Sequence, residues 1–171
     1  AKNWLNDGVY YYINHEWNNI NKRNTDAFDT ISDFVSVAID PRNHSKVYVG
    51  SYHKGLLEFE NFEVKKIYNH TNSSLGLLSG YNYVYVTSLD FDSKNNLWVA
   101  NHGSDKMLSV KTIDNNWYSF NIGSGYISKL VVDDNDYKWI LTRDGNFIVY
   151  NDNNTISNKS DDQHKTVGKT I

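Results

Sequence analysis

The residues of this chain best suited to chemistry gather in short polar loops. Tyr52 and His53 lie in "SYHK" (51–54), His102 in "NHGSDK" (101–106), Arg143 in "TRDG" (142–145), Tyr81 and Tyr83 in "SGYNYVY" (79–85), and Tyr126 in "GSGYIS" (123–128). Aromatic faces for stacking, with Asn, His and Arg donors beside them, suit a sugar or a polar peptide, because a few polar atoms fix orientation against flat apolar walls. Tyr52, His53, Tyr81, Tyr83, His102, Tyr126 and Arg143 are therefore the candidate ligand residues.

Other chemistries find less support. His53 and His102 occupy equivalent loop positions, but no third His or carboxylate follows at ligand spacing, so hydrogen-bonding loop histidines are expected and no metal. "DDND" (133–136) has the acids of a calcium loop, yet whichever Asp is counted first, Tyr137 or Lys138 lands on a ligand position. A turn is expected there. Asp40, Asp90 and Asp92 recur at strand ends, which fits turn hydrogen bonding better than a pair of acid/base carboxylates. No Gly-x-Ser-x-Gly, phosphate loop or His-Glu-x-x-His is present, so no catalytic residue, no enzymatic activity and no cofactor is expected.

Composition narrows the partners. The net charge of −3 comes with scattered basic residues, which argues against a nucleic-acid footprint. The chain has no Cys, hence no disulfide framework and no thiolate site. Nothing approaches a membrane-spanning apolar run, and the polar start at Ala1 has no signal-like core, so any leader is expected either to have been removed or to lie upstream.

The elements that must position these loops are strands. Aromatic residues make up 15% of the 171 residues, with 13 Tyr, 5 Trp and a single Pro, and long runs at helical spacing are missing, so the chain reads as all-β. One unit occurs three times. An apolar run ends in Asp ("VSVAID", "VTSLDFD", "KLVVDD"), a polar turn follows, and a second strand carries a large aromatic ("KVYVGS", "NLWVAN", "KWILT"). A third strand follows ("GLLEFE", "KMLSVK", "GNFIVYN"), then a more polar fourth ("FEVKKIYN", "NNWYSFN" and, weakly, "NNTISNK" at 153–159).

Tyr48, Trp98 and Trp139 stand 50 and 41 positions apart, and four-stranded units of this length are the mark of propeller blades. The expected architecture is an incomplete β-propeller of about three and a half antiparallel blades. Residues 1–33 form a half blade and linker, 34–69, 86–121 and 127–159 the blades, and 160–171 a tail, "QHKTVGKTI" falling where a new inner strand would begin. Tyr48, Trp98 and Trp139 are each expected to be buried between neighbouring blades. An unclosed array exposes its end faces, so the partners expected are other blades of a larger parent chain, or a second copy in a homodimer.

The run from Asp92 through "LWVANHG" resembles the two-component regulator propeller repeat of Bacteroidetes hybrid histidine kinases, with Asp92, Leu97, Trp98 and Gly103 in its places. Asn95 and Asn96 stand where a Gly is usual and Asn101 where a Thr is. "YNHTNSSL" (68–75) and "LSVKTIDNNWYSF" (108–120) resemble the β-propeller component of the Bacteroidetes type IX secretion system. That resemblance implies a non-enzymatic protein of the periplasm or outer-membrane surface of a Gram-negative bacterium. In that family two seven-bladed propellers and a β-sandwich associate with lipopolysaccharide and secretion-system proteins. The first resemblance implies instead a periplasmic propeller that senses oligosaccharides.

Overall fold

The computed structural model describes residues 7–123 and 126–168. Among them are fourteen strands and one short 3-10 turn, Asp26–Phe28. β1 (Val9–Ile13) and β2 (Glu16–Ile20) form a two-stranded hairpin. β3 (Phe34–Ile39), β4 (Lys46–Ser51), β5 (Leu56–Glu60) and β6 (Glu63–Tyr68) make the first complete blade. β7 (Val86–Phe91), β8 (Leu97–Asn101), β9 (Leu108–Lys111) and β10 (Trp117–Phe120) make the second. β11 (Ile127–Val132), β12 (Lys138–Thr142), β13 (Phe147–Asn151) and β14 (Gln163–Val167) make the third. Each sheet is antiparallel and ordered as in sequence, so the chain is all-β, with three four-stranded blades and half of another.

The fourth strand of the last blade is corrected by the structure. Residues 153–159, expected as a strand, form consecutive turns instead. Thr155 N donates to Asp152 O and Asn158 N to Thr155 O, at 2.9 and 2.8 Å, while Asn153 and Asn154 take positive φ of 48° and 62°. Asn tolerates that left-handed geometry and a strand does not use it. The partner of β13 is β14, with Tyr150 opposite His164, so "QHKTV" closes the third blade and is neither a tail nor a new inner strand.

Turn chemistry explains the repeated Asp. Asp92 Oδ1 accepts from the amides of Lys94 and Asn96 (3.0 and 2.8 Å), and its Oδ2 from Asn96 Nδ2 and Trp98 Nε1 (2.8 and 2.9 Å). Asp133 repeats the pattern with the amides of Asn135 and Tyr137 and with Trp139 Nε1 at 2.8 Å. One side chain thereby closes the β-turn and fixes the indole six residues on. Asp136 is bonded through both oxygens to Ser93 of the preceding blade, and Asp90 Oδ2 accepts from the Val132 amide at 2.8 Å. These acids hold turns and seams.

The core lies between blades. Tyr48, Leu56, Tyr68, Leu89, Leu97 and Val99 fill the first seam. Trp98, Phe120, Leu130, Ile140, Ile148 and Tyr150 fill the second. On the near side of the first blade, Phe28 and Ile31 pack on Val49, Leu57 and Phe59, with Val9 and Ile20 of the half blade at the margin. Trp98 is fully buried and Tyr48 nearly so, but Trp139 is 44% exposed, which corrects the expectation that all three lie between blades. Among the described residues no blade follows the third, so nothing covers that face. Val35, Val37 and Ile39 of β3 are exposed for the same reason, since they face the side on which the half blade shows only its outer two strands.

The segment 70–85, longer than its counterparts, is packed down rather than looped out. Leu75 and Val84 are buried, Val84 bridges Lys54 in parallel, and the Asn101 side chain clasps Gly76 through both its amide atoms, at 2.7 and 3.1 Å. Asn101 thus gives a hydrogen-bonding anchor at the position where the resembled repeat carries a Thr.

Candidate functional site

The loops after β4, β8 and β12 and the connections before β7 and β11 emerge at one end of the blades, because each strand reverses direction. There the aromatic residues form a continuous row. Tyr81 and Tyr83 stack at 6.1 Å between ring centres, Tyr83 and Tyr85 at 6.1 Å, Tyr85 and His102 meet at 6.0 Å, and His102 stacks on Tyr126 at 4.9 Å. Tyr52 meets Tyr85 edge to face at 5.4 Å and His53 meets Tyr83 at 6.2 Å. Arg143 reaches across from the third blade, its guanidinium donating to Tyr52 Oη of the first at 3.2 Å. All seven candidate residues therefore fall in one connected patch spanning three blades.

The row precedes β7 and is set by one bridge and one turn: Tyr83 and Tyr85 flank Val84, which is buried and bridges Lys54, and Tyr81 is placed by a turn, its amide donating to Leu78 O at 2.9 Å. Main-chain bonds fix the ends: His102 N donates to Tyr85 O and Arg143 N to Tyr126 O, both at 2.9 Å. Gly103 has φ of +68°, and a Cβ there would lie 2.9 Å from the Tyr126 ring. Its bare backbone lets that ring lie down against His102.

Members of the patch play different parts. Tyr81 and Tyr126 are 61% and 55% exposed, and Arg143 is exposed; these are the surfaces a ligand would meet. His53 and His102 are buried and bonded to backbone, Nε2 of His53 to Thr30 O at 3.1 Å and Nδ1 of His102 to Ile127 O at 2.7 Å. A carbonyl only accepts, so these nitrogens carry the protons. Burial, reinforced by the Arg143 charge, holds the His102 imidazolium pKa below its usual range despite the Ile127 bond, leaving a neutral ring as the floor under Tyr126. Tyr85 joins both halves of the row and was missed by sequence reasoning, although the Tyr-x-Tyr-x-Tyr spacing of 81–85 was the signal that could have found it.

Beside Tyr126 a cleft of about 550 Å³ opens between the second and third blades, with Gly103, Ser104, Asp105, Met107 and Asn121 along it. It combines an aromatic wall with one carboxylate, one amide and one hydroxyl, a mixture that can hydrogen-bond vicinal hydroxyls and pack a sugar face. At the other end of the blades a smaller space of about 210 Å³ lies between the first and second, lined by Asp40, Arg42, Tyr48, Lys111 and Asn115. Arg42 pairs with Asp40 at 3.1 Å and Lys46 with Glu58 at 3.2 Å, while the Lys111 ammonium is held by the neutral Asn115 Oδ1 and Tyr48 Oη. Among the described residues no three His, Cys, Asp or Glu side chains converge as a metal site would require, and no helix is long and apolar enough to cross a membrane.

No family model matches the chain and no curated protein does. Solved structures do. PorZ, a bacterial surface component of the type IX secretion system of Porphyromonas gingivalis, superposes with a TM-score of 0.79 at 22% identity, over 91% of this chain and 23% of its own. The extracellular domain of the hybrid two component system BT3049 of B. thetaiotaomicron gives 0.62 at 19% identity, over 95% of this chain and 20% of its own. The Dos1 propeller gives 0.55 at 24% identity, over 75% and 33%. The chain thus spans a third or less of each of these structures, and what it shares with them is the fold: it is a stretch of β-propeller.

Proposed function

We propose that this chain is part of a non-enzymatic propeller of a Gram-negative cell envelope, used for recognition or scaffolding in the manner of the type IX secretion component, its aromatic rim binding the glycan portion of a surface polysaccharide such as lipopolysaccharide. The observation that carries the reading is the unbroken row from Tyr81 to Tyr126 with Arg143 beside it. The stacked faces suit sugar rings, and the guanidinium suits an anionic substituent. The superposition on PorZ over nearly the whole chain supports the secretion context. In this reading the chain is one portion of a larger ring.

The test is calorimetric titration of the chain with delipidated lipopolysaccharide and with a neutral oligosaccharide of matched length. Saturable binding of the anionic glycan, lost in Tyr126→Ala and weakened by salt and by Arg143→Gln, supports the proposal. Binding of neither glycan at millimolar concentration removes it. Preference for the neutral oligosaccharide would favour the second reading, an oligosaccharide-sensing propeller of a hybrid two-component system, which the match to the BT3049 extracellular domain supports.

A further inference from the structure

The two internal seams solve one problem in the same way. At the first, Lys111 of β9 brings its Nζ to 3.4 Å from Tyr48 Oη and 5.6 Å from the ring centre. At the second, Lys138 of β12 sets its Nζ 4.1 Å from the centre of the Trp98 ring. Both lysines are buried. They come from different strands, yet from the same place, because Lys111 pairs with Leu97 and Lys138 pairs with Tyr150 across the two middle strands. Each of these blades thus offers its predecessor one ammonium and one apolar side chain from a single cross-strand pair, in swapped order. The amines are held by their own blade, Lys111 by Asn115 Oδ1 at 2.5 Å and Lys138 by Asp152 at 2.6 Å.

The outer face of the third blade repeats the receiving half of this arrangement. Trp139 is held by Asp133 as Trp98 is held by Asp92, but its ring is open, and Val131, Phe147 and Val167 around it are exposed. We infer that this face is a docking surface for a further four-stranded blade that places a buried lysine ammonium over the Trp139 ring. The inference rests on the reading of the chain as a portion of a larger ring, and not on what the rim binds. A second copy of this chain is poorly suited as the occupant. Its opposite end presents Tyr10, Tyr12 and Trp17, with Tyr12 in the register of Lys111 and Tyr150, and none of the three carries an ammonium.

The experiment appends a second copy of residues 121–167 after Val167, so that the added blade carries its own Lys138 toward Trp139. The protein is labelled with 5-fluorotryptophan, the Trp139 resonance being assigned by Trp139→Phe. In the unextended chain this resonance should show a solvent isotope shift, and in the extended chain it should lose that shift, as the buried Trp98 does. Replacing Lys138→Met together with Asp152→Leu in the appended copy removes the ammonium without stranding a carboxylate, and should displace the resonance and lower the melting temperature. An unchanged resonance and melting temperature in that variant would overturn the ammonium but leave the ring reading intact. A Trp139 that stays open, or an appended blade that does not fold on this face although its sequence folds against Trp98, would overturn the docking face and the ring reading together. Dimerisation of the unextended chain that closes Trp139 would also overturn the assignment of the occupant.

Discussion

Lys138 Nζ and Asp152 Oδ1 lie 2.6 Å apart, and both side chains are sealed from solvent between the second and third blades. The ammonium is also over the Trp98 ring, so the ion pair joins β12 to the turn after β13 within one blade and meets an aromatic of another. Removing either partner leaves the other charge buried alone. Asp152→Ala and Lys138→Met should each cost about 3–5 kcal/mol, whereas Lys138→Met with Asp152→Leu should cost much less than their sum. Urea unfolding of the three variants in a double-mutant cycle checks this, and strict additivity would contradict it.

Trp98 and Trp139 have the same register and equivalent aspartate partners, Asp92 and Asp133, but only one is covered. Trp98→Ala should cost about 3–5 kcal/mol, as loss of a large buried aromatic does. Trp139→Ala should cost about 1 kcal/mol or less, since its ring has few partners to lose. Denaturant midpoints with constant m-values decide between this difference and two equal losses.

His102 sets an acid dependence. Burial, with the Arg143 charge, holds its pKa below the ordinary histidine value, so the unfolded chain takes up a proton at a higher pH than the folded one. The resulting stability is present above the unfolded pKa of about 6.5 and is lost as pH falls through the folded value. Melting temperature should drop on acidification below that point and do so less in His102→Gln. An NMR titration placing the His102 midpoint above the usual value would contradict the assignment.

Three tyrosines set the alkaline limit. Burial first, then Glu58 for Tyr48 and Tyr68 and Asp162 for Tyr150, pushes these phenols well above their ordinary pKa. Tyr68 Oη donates to Glu58 at 2.7 Å and Tyr150 Oη to Asp162 at 2.8 Å, bonds that require the protonated form. Their stabilising effect is complete below the unfolded pKa of about 10 and is lost as pH rises beyond it. Ultraviolet titration should show exposed tyrosines ionising first and these three only as the fold opens. Ionisation of all thirteen in one reversible step, with the β-sheet signal intact, would contradict this.

The blades were legible because their signals are local and repeated. Apolar alternation, the Asp before the turn and the aromatic on the second strand all sit within a dozen residues, and the structure places them as one unit three times over. What escaped was long-range or uneven. "NNTISNK" has strand-like alternation, but Asn153 and Asn154 adopt turn geometry, and the pairing of β13 with β14 depends on a register that spacing alone does not fix. Trp139 has the sequence of a buried residue, and its exposure depends on a neighbouring blade rather than on its own surroundings in sequence. The rim residues were readable as loop aromatics, whereas the role of Tyr85 as the link between Tyr83 and His102 required the three blades to be brought together.

The bonds from Asp92 to Trp98 and from Asp133 to Trp139 lie within single blades. A blade therefore completes the surface on which its successor will sit before that successor exists. For a chain that emerges from its N-terminus, this makes assembly directional: each newly finished blade is a ready template, and at every stage the leading face is the newest one. The order of synthesis is thereby matched to the order of packing, and the interval during which any one tryptophan stands uncovered is set by the time taken to make the next forty or so residues.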